Sequence, residues 1–242
     1  MRYIFISPHL DDVAFSVGGI VNNLVNNKID TEIWTFFSGS PKDENLSDFA
    51  FSLHKRWKLP LNAPKIRRIE DRKACKTLGA AYTHFNLPDC IYRKDSEGNP
   101  IVREEDDLYQ PIPPSQQFLV NKISDEINRK ATADDIIVSP MAIGNHIDHR
   151  IIEAAIKKLS PFSLLFYEDY PYVVKSNSSP IDYSKLTPHK YDLQKENIKT
   201  WHAAIAAYQS QISTFWKNPN RMIEEIIEFA GRGGGKNLWK FS

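Results

Sequence analysis

Apolar runs and apolar positions at helical spacing alternate along this chain. The runs predict five strands, over residues 3–7, 31–37, 82–87, 135–140 and 163–167. Between the strands, four predicted helices cover residues 13–26, 67–78, 115–130 and 149–159, and a mostly helical stretch follows over 193–229. This alternation predicts an α/β fold with a Rossmann-like, mainly parallel sheet that is flanked by helices.

Two of the predicted helices carry specific local signals. The helix over 67–78 is followed by Gly79, a residue that favours the left-handed conformation of a C-terminal cap. In the helix over 115–130, the spacing of the apolar residues predicts one hydrophobic face. That face is formed by Phe118, Leu119, Ile123 and Ile127.

Three segments have weaker patterns. Residues 38–64 have a mixed pattern that predicts no particular element, but their aromatic residues indicate that the segment packs on the domain. Residues 94–114 are polar, acidic and interrupted by proline, which is typical of a surface excursion. The glycine-rich residues 231–236 predict a flexible turn.

The composition limits the class of protein. Hydrophobic residues make up 41% of the 242 residues, which is enough for one α/β domain over residues 1–242. The 31 lysines and arginines nearly balance the 30 aspartates and glutamates, so we expect neither a nucleic-acid-binding nor a membrane-binding protein. The apolar run over 3–7 is too short for a signal peptide or a membrane span, which favours a cytoplasmic location.

The two cysteines indicate which metal ligands the chain offers. Cys75 and Cys90 are 15 residues apart, which is no metal-binding spacing. We expect reduced thiols, with Cys75 in the hydrophobic core. A bound metal would therefore use histidine and carboxylate ligands.

Two polar clusters follow predicted strands. The first is residues 7–12 (SPHLDD), and the second is residues 144–149 (GNHIDH). Ligands of open parallel sheets bind beyond the carboxyl ends of the strands, so the fold should bring both clusters to one edge. Two histidines and one or two carboxylates at that edge would form a metal site with room for water.

Each cluster, taken alone, also has a structural explanation. Aspartate is a good helix N-cap, which would account for Asp11. His146, Asp148 and His149 lie at a predicted helix start and are equally compatible with an exposed surface. The joint occurrence of the two clusters favours the functional interpretation.

The motifs of several common enzyme classes do not occur in the sequence. No G-x-G-x-x-G sequence follows the first strand, which argues against a dinucleotide site. Neither the phosphate-binding G-x-x-x-x-G-K-[ST] motif nor the G-x-S-x-G sequence of serine hydrolases is present.

Together, the two clusters resemble the signatures of the LmbE/PIG-L family of zinc-dependent N-deacetylases. The P-H-x-D-D loop of that family is matched by residues 8–12, its Gly-Gly pair by Gly18 and Gly19, and its H-x-D-H sequence by residues 146–149. Weaker matches extend the resemblance to about residue 215, at Arg67, Glu70, 78–79, 87–89, 167–169 and 208–211. Leu10 and Val13 depart from the family pattern, but neither is a ligand position in it.

The resemblance implies which residues would bind the metal and which would act as the base. His9, Asp12 and His149 would bind zinc and leave one position for water, as in catalytic zinc sites. Zinc lowers the pKa of such a water towards neutrality. Asp11 would be the general base.

The remaining candidates surround this set. His146 would stabilise the oxyanion or protonate the leaving amine, with Asp148 orienting its ring. Arg67 and Asp89 are candidates for substrate contact, and a surface salt bridge and a turn are equally compatible with them. Tyr170 is expected to pack rather than to act in catalysis.

The implied reaction is the removal of an acyl group, acetyl in the first place, from a small amino sugar such as N-acetylglucosamine or from a glycoconjugate. Two alternatives stay open. The same chemistry would serve an amidase that acts on a thiol conjugate or another non-sugar amide. A carbohydrate-binding protein without activity is the other, although binding alone needs neither Asp11 nor His146. The sequence does not predict the oligomeric state.

Overall fold

The computed structural model describes residues 1–41, 45–175, 181–216 and 218–241, and its centre is one mixed sheet. Within these ranges seven strands pair in the order β3-β2-β1-β4-β5-β7-β6. They are β1 Arg2–Ser7, β2 Asp30–Thr35, β3 Ala81–His84, β4 Ile136–Pro140, β5 Ser163–Tyr167, β6 Leu186–Lys190 and β7 Asn237–Phe241. The first five strands are mutually parallel, and β7 runs antiparallel to both β5 and β6. The predicted α/β class and mainly parallel sheet are confirmed.

Helices cover both faces of the sheet, and each face has its own hydrophobic core. The helices of the described residues are α1 Asp12–Asn26, α2 Asp48–Trp57, α3 Ala63–Leu78, α4 Phe118–Lys130, α5 Ile147–Ile156, α6 Tyr172–Lys175, α7 Lys195–Ile205, α8 Gln209–Phe215 and α9 Pro219–Gly231. Buried residues of α1, α3, α7 and α9 form one core, and those of α2, α4 and α5 form the other. None of these helices is long and apolar enough to cross a membrane.

Most predicted elements are found with shifted ends. The helix predicted over 67–78 begins four residues earlier, at Ala63, and ends before Gly79, which adopts the predicted left-handed conformation (φ 79°). The strand predicted over 82–87 covers only 81–84. The helix predicted from His149 begins at Ile147.

Three features differ from the sequence interpretation. Residues 48–57, left unassigned, form α2, which begins after Ser47, whose hydroxyl accepts a hydrogen bond from the Ala50 N–H. The strands β6 and β7 were not predicted. Phe118 is 59% exposed, whereas the other three residues of its predicted face are buried. At about 100° per residue, Phe118 lies about 140° from the mean direction of the other three residues, so it points away from that face.

A close helix contact fixes α1, the helix that follows the first polar cluster. The indole of Trp201 on α7 lies on Gly18 and Gly19, where an added Cβ would come within 2.6 Å of Trp201 and 2.7 Å of Leu193. The Trp201 Nε1–H donates to the carbonyl of Ala14 at 2.6 Å. The Gly-Gly pair therefore lets α7 approach α1, and the hydrogen bond from Trp201 holds the first turn of α1.

Candidate active site

The two polar clusters meet at one edge of the sheet, as predicted. The neighbouring strands β1 and β4 are parallel, so their carboxyl ends point the same way. The loop after β1 carries His9, Asp11 and Asp12. The segment after β4 carries the second cluster, whose members are His146, Asp148 and His149.

Three side chains form a set that can bind a metal. The Asp12 Oδ2 atom lies 3.4 Å from His9 Nδ1 and 3.4 Å from His149 Nε2. The His9 backbone N–H also donates to Asp12 Oδ2 at 2.7 Å, which fixes the carboxylate. His149 Nε2 is buried and has no hydrogen-bond partner among the described residues. A buried ring nitrogen in that state fits a metal ion as its partner.

The outer nitrogen of each histidine is bound to a carboxylate. His9 Nε2 lies 3.0 Å from Asp148 Oδ2, and His149 Nδ1 lies 2.6 Å from Asp169 Oδ1. Carboxylates in this place hold metal-binding histidines in one orientation. Burial alone would lower the pKa of His149, but Asp12 and Asp169 raise that pKa to about 9. Asp169 belongs to one of the weak sequence matches, which gave no indication of this contact.

His146 belongs to two other groups of side chains that could hold a metal, one with His9 and His149 and one with Cys90 and Asp148, but its ring is held differently. Metal-binding atoms of His9, His146 and His149 lie within 4.8 Å of one another. His146 is the N-cap of α5, and its Nδ1 accepts a hydrogen bond from the Asp148 N–H at 3.2 Å. The proton of the neutral ring is then on Nε2, which can donate a hydrogen bond but not bind a metal. Burial also lowers the pKa of His146 well below its usual value.

The predicted contact between the Asp148 carboxylate and His146 requires a correction. The carboxylate instead accepts hydrogen bonds from His9, from the Cys90 N–H at 3.0 Å and from Arg93 at 2.5 Å. The His146 ring is instead held by the Asp148 backbone N–H at Nδ1, and its Nε2 lies 3.9 Å from the Cys90 Sγ. Asp148 is fully buried, so it is not a surface residue.

Asp11 faces the cavity and is not a capping side chain. It occupies the N-cap position of α1, but its side chain makes no capping hydrogen bond. Arg67 instead donates to Asp11 Oδ2 at 3.2 Å. Burial raises the pKa of Asp11 to about 7 against the opposing charge of Arg67. The backbone φ of Asp11 is 140°, a strained value for a residue with a side chain. Such strain is typical of functional positions.

A cavity of about 300 Å³ opens onto these residues. This volume is at the lower end of the range for small-molecule sites. From the predicted site, the cavity is lined by His9, Asp11, Asp12, Arg67, Asp89 and His146. Asp148 and His149 lie buried directly behind it. The other residues that line it are aromatic or apolar, including Leu53, Trp57, Leu108, Tyr109, Tyr170, Tyr172 and Phe215, and charged or polar, including Arg56, Glu105, Lys175 and Gln211.

Arg67 and Asp89 combine the two interpretations that the sequence left open. Arg67 is buried in its ion pair with Asp11, and its guanidinium stacks on Trp57 at 4.8 Å. Asp89 accepts a hydrogen bond from the Ile91 N–H at 3.2 Å, which caps a short turn, and its Oδ2 lies 3.8 Å from His9 Nε2. Both residues support the local structure and still face the cavity.

Known proteins of similar sequence include deacetylases. The family model described as PIG-L: GlcNAc-PI de-N-acetylase matches residues 4–160. A 2'-N-acetylparomamine deacetylase from Niallia circulans is 28% identical over 192 residues, 72% of this chain and 69% of that protein. A 2'-N-acetylparomamine deacetylase from Streptomyces fradiae is 26% identical over 196 residues, which cover 75% of this chain and 61% of that protein.

Solved structures share the whole architecture. A crystal structure of a deacetylase-bog complex in the biosynthesis pathway of teicoplanin is 26% identical, with a TM-score of 0.80 over 99% of this chain and 97% of that chain. The zinc inhibited form of teicoplanin deacetylase Orf2 is 24% identical and has the same fold, with a TM-score of 0.81 over 100% and 99% of the two chains. Since the family model matches well over half of the sequence, this chain belongs to the PIG-L, or LmbE-like, family.

Proposed function

We propose that this chain, as a single domain over residues 1–242, is a zinc-dependent hydrolase that removes an N-acetyl group from an amino sugar or glycoconjugate. One observation carries the proposal. His9 Nδ1 and His149 Nε2 converge on Asp12 Oδ2 at 3.4 Å each, beside a cavity that also receives Asp11 and His146. The deacetylase names of the relatives support the reaction class.

His9, Asp12 and His149 would hold the metal. Two imidazoles and one carboxylate suit zinc, and three protein ligands leave a position open for catalysis. Zinc bound there would supply Lewis acidity, which polarises the acyl carbonyl and makes water more acidic. The outer contacts with Asp148 and Asp169 keep both rings directed at this position.

Asp11 is proposed as the group that moves the proton. Amide hydrolysis adds water to the acyl carbon, breaks the C–N bond, and leaves acetate and an amine. Asp11 would accept the proton of the attacking water and then pass it to the leaving nitrogen. Arg67 would fix the carboxylate for both steps through their 3.2 Å contact.

His146 is proposed as the hydrogen-bond donor to the carbonyl oxygen. Its Nδ1 is occupied by the Asp148 N–H, so the Nε2–H is the donor that the ring offers. A donor fixed before the reaction stabilises the charge that develops on oxygen. Of the two roles implied by the family resemblance, this geometry favours oxyanion stabilisation over protonation of the amine.

The amino sugar is proposed as the substrate because both curated relatives are named for an N-acetylated amino sugar. The aromatic side chains that line the cavity also suit the apolar face of a sugar ring. Arg67 and Asp89 would contact its hydroxyl groups. We also propose a cytoplasmic location.

The test combines metal analysis with an acetate-release assay. Purified protein should contain one zinc per chain and release acetate from N-acetylated amino sugars or aminoglycosides, and His149→Ala should lose both properties. The panel includes N-acetylated thiol conjugates and simple N-acetyl amines. Since one similar structure is described as zinc inhibited, activity is measured at one equivalent and in excess zinc. Release from the thiol conjugates alone would favour the non-sugar amidase. Sugar binding without acetate release would indicate a binding protein.

A further inference from the structure

The carboxylate of Asp148 is held by a buried cation that has no role so far. Asp148 is 0% exposed and receives three donors, from His9, from the Cys90 backbone and from Arg93. The Arg93 contact is the shortest, at 2.5 Å between Nη2 and Oδ1. The same carboxylate therefore links Arg93 to a proposed metal ligand.

Arg93 is itself held in place from two further sides. Its Nη1 donates to the carbonyl of Pro88 at 3.3 Å, and its guanidinium lies 4.9 Å from the ring centre of Phe37. Phe37 also contacts His9, with 6.2 Å between the ring centres. Arg93 is only 6% exposed. Arg93 thus contacts Asp148 and Phe37, which both contact the His9 ring.

The carboxylates behind His9 and His149 are supported in different ways. Asp169, behind His149, accepts a hydrogen bond from the backbone N–H of Ile143 at 3.0 Å. Asp148, behind His9, depends on a side-chain cation in addition to a backbone N–H. A buried carboxylate that loses its cation is left with an uncompensated charge, and the structure around it must change. One side-chain substitution outside the cavity could therefore disturb the orientation of His9.

We propose that Arg93 is a positioning residue for the metal site. By fixing the Asp148 carboxylate, it sets the orientation of the His9 ring and so directs Nδ1 towards Asp12. The inference rests on the proposed function, because it assumes that His9 binds the metal. Arg93 does not line the cavity beside the proposed metal site, and it acts on His9 through Asp148.

The experiment measures zinc affinity by competition with a chelator for wild type, Arg93→Met and Arg93→Lys. Arg93→Met should bind zinc more weakly, by up to about the 10–100-fold that is usual when the direct partner of a metal-binding histidine, here Asp148, is lost. Arg93→Lys should fall in between, because an ammonium restores the charge but not the two-pronged contact with Asp148 and Pro88. At saturating zinc, kcat should fall in Arg93→Met while KM stays close to the wild-type value.

Arg68→Met is the matched control. Arg68 is a half-buried arginine on α3 whose guanidinium donates to the Phe85 carbonyl at 3.3 Å, away from the metal site. This variant should keep wild-type zinc affinity even if its melting temperature falls. If Arg93→Met does not fold, Arg93→Lys carries the test, and unchanged zinc affinity in that variant overturns the inference.

A double-mutant cycle tests whether Arg93 acts through Asp148. Adding Arg93→Met to Asp148→Asn should weaken zinc binding little further, since the carboxylate that Arg93 holds is already gone. Fully additive losses would contradict the relay. Tight zinc binding by wild type and Arg93→Met alike overturns this inference alone, whereas absence of zinc binding by the wild type overturns the proposed function with it.

Discussion

Replacement of Asp11 by asparagine separates the proposed proton transfer from the rest of the site. The carboxamide keeps the shape of the side chain and can still accept a hydrogen bond from Arg67 at the present 3.2 Å. It cannot accept the proton of an attacking water. Asp11 is also absent from the set of His9, Asp12 and His149 that converges on one point. We therefore expect Asp11→Asn to retain zinc and lose turnover.

The size of the loss follows from two separate effects. Loss of a positioned base costs about 10²–10⁴ in rate, which corresponds to about 3–5 kcal/mol of transition-state free energy. Removing one partner of a buried ion pair costs up to about 3–5 kcal/mol of stability. The stability loss should be at the low end or below, because Arg67 keeps the Leu10 carbonyl at 3.2 Å and the Trp57 ring.

Arg67→Gln distinguishes these two effects. It breaks the same ion pair from the other side, so its melting temperature should fall by at least as much as that of Asp11→Asn. Arg67→Gln leaves the Asp11 carboxylate intact, so its kcat should fall far less than that of Asp11→Asn. The larger effect of Arg67→Gln should be on KM. The assay is acetate release per bound zinc, with zinc content and thermal unfolding measured on the same samples. Turnover of Asp11→Asn within about threefold of wild type would refute the assignment of Asp11 as the base.

Three further predictions concern other parts of the molecule. His146→Ala should lower kcat by about 10²–10³ with substrate affinity nearly unchanged, and a normal rate per bound zinc would make the residue structural only. Ile152→Ala, at a fully buried position of α5, should lower the free energy of unfolding by about 2–5 kcal/mol in urea titrations. Burial raises the pKa of Asp135, but the hydrogen bond and charge of Arg2 outweigh it and lower that pKa. The pair therefore stabilises the fold above the ordinary aspartate pKa and loses this effect as the pH falls through the lowered value, so Arg2→Met should begin to unfold at a higher pH than wild type in an acid titration.

The sequence was sufficient to predict which edge of the sheet carries the site and that the six residues of the two clusters lie there. The reason is that buried parallel strands can be recognised as apolar runs, and the residues that follow such a run lie at the carboxyl edge of the sheet. The elements that were not predicted lack this signal. The strand β6 contains Pro188 and is exposed along most of its length. A proline and polar residues are tolerated there because β6 is an edge strand, where one side needs no backbone partner. The helix α2 did carry a signal, since Ser47 is a good N-cap before apolar residues at helical spacing.

The second layer of the site was beyond sequence reasoning for a different reason. Asp169 lies 20 residues from His149, and Arg93 lies 55 residues from Asp148, so neither pairing follows from local spacing. Asp148 shows how this matters, because adjacency to His146 along the chain suggested one partner, whereas the fold supplied His9 from 139 residues away. A helix start turns neighbouring side chains in different directions, so a short motif identifies which groups are present but not which of them meet. The candidate ligands of such a site can thus be predicted from sequence before the residues that orient them.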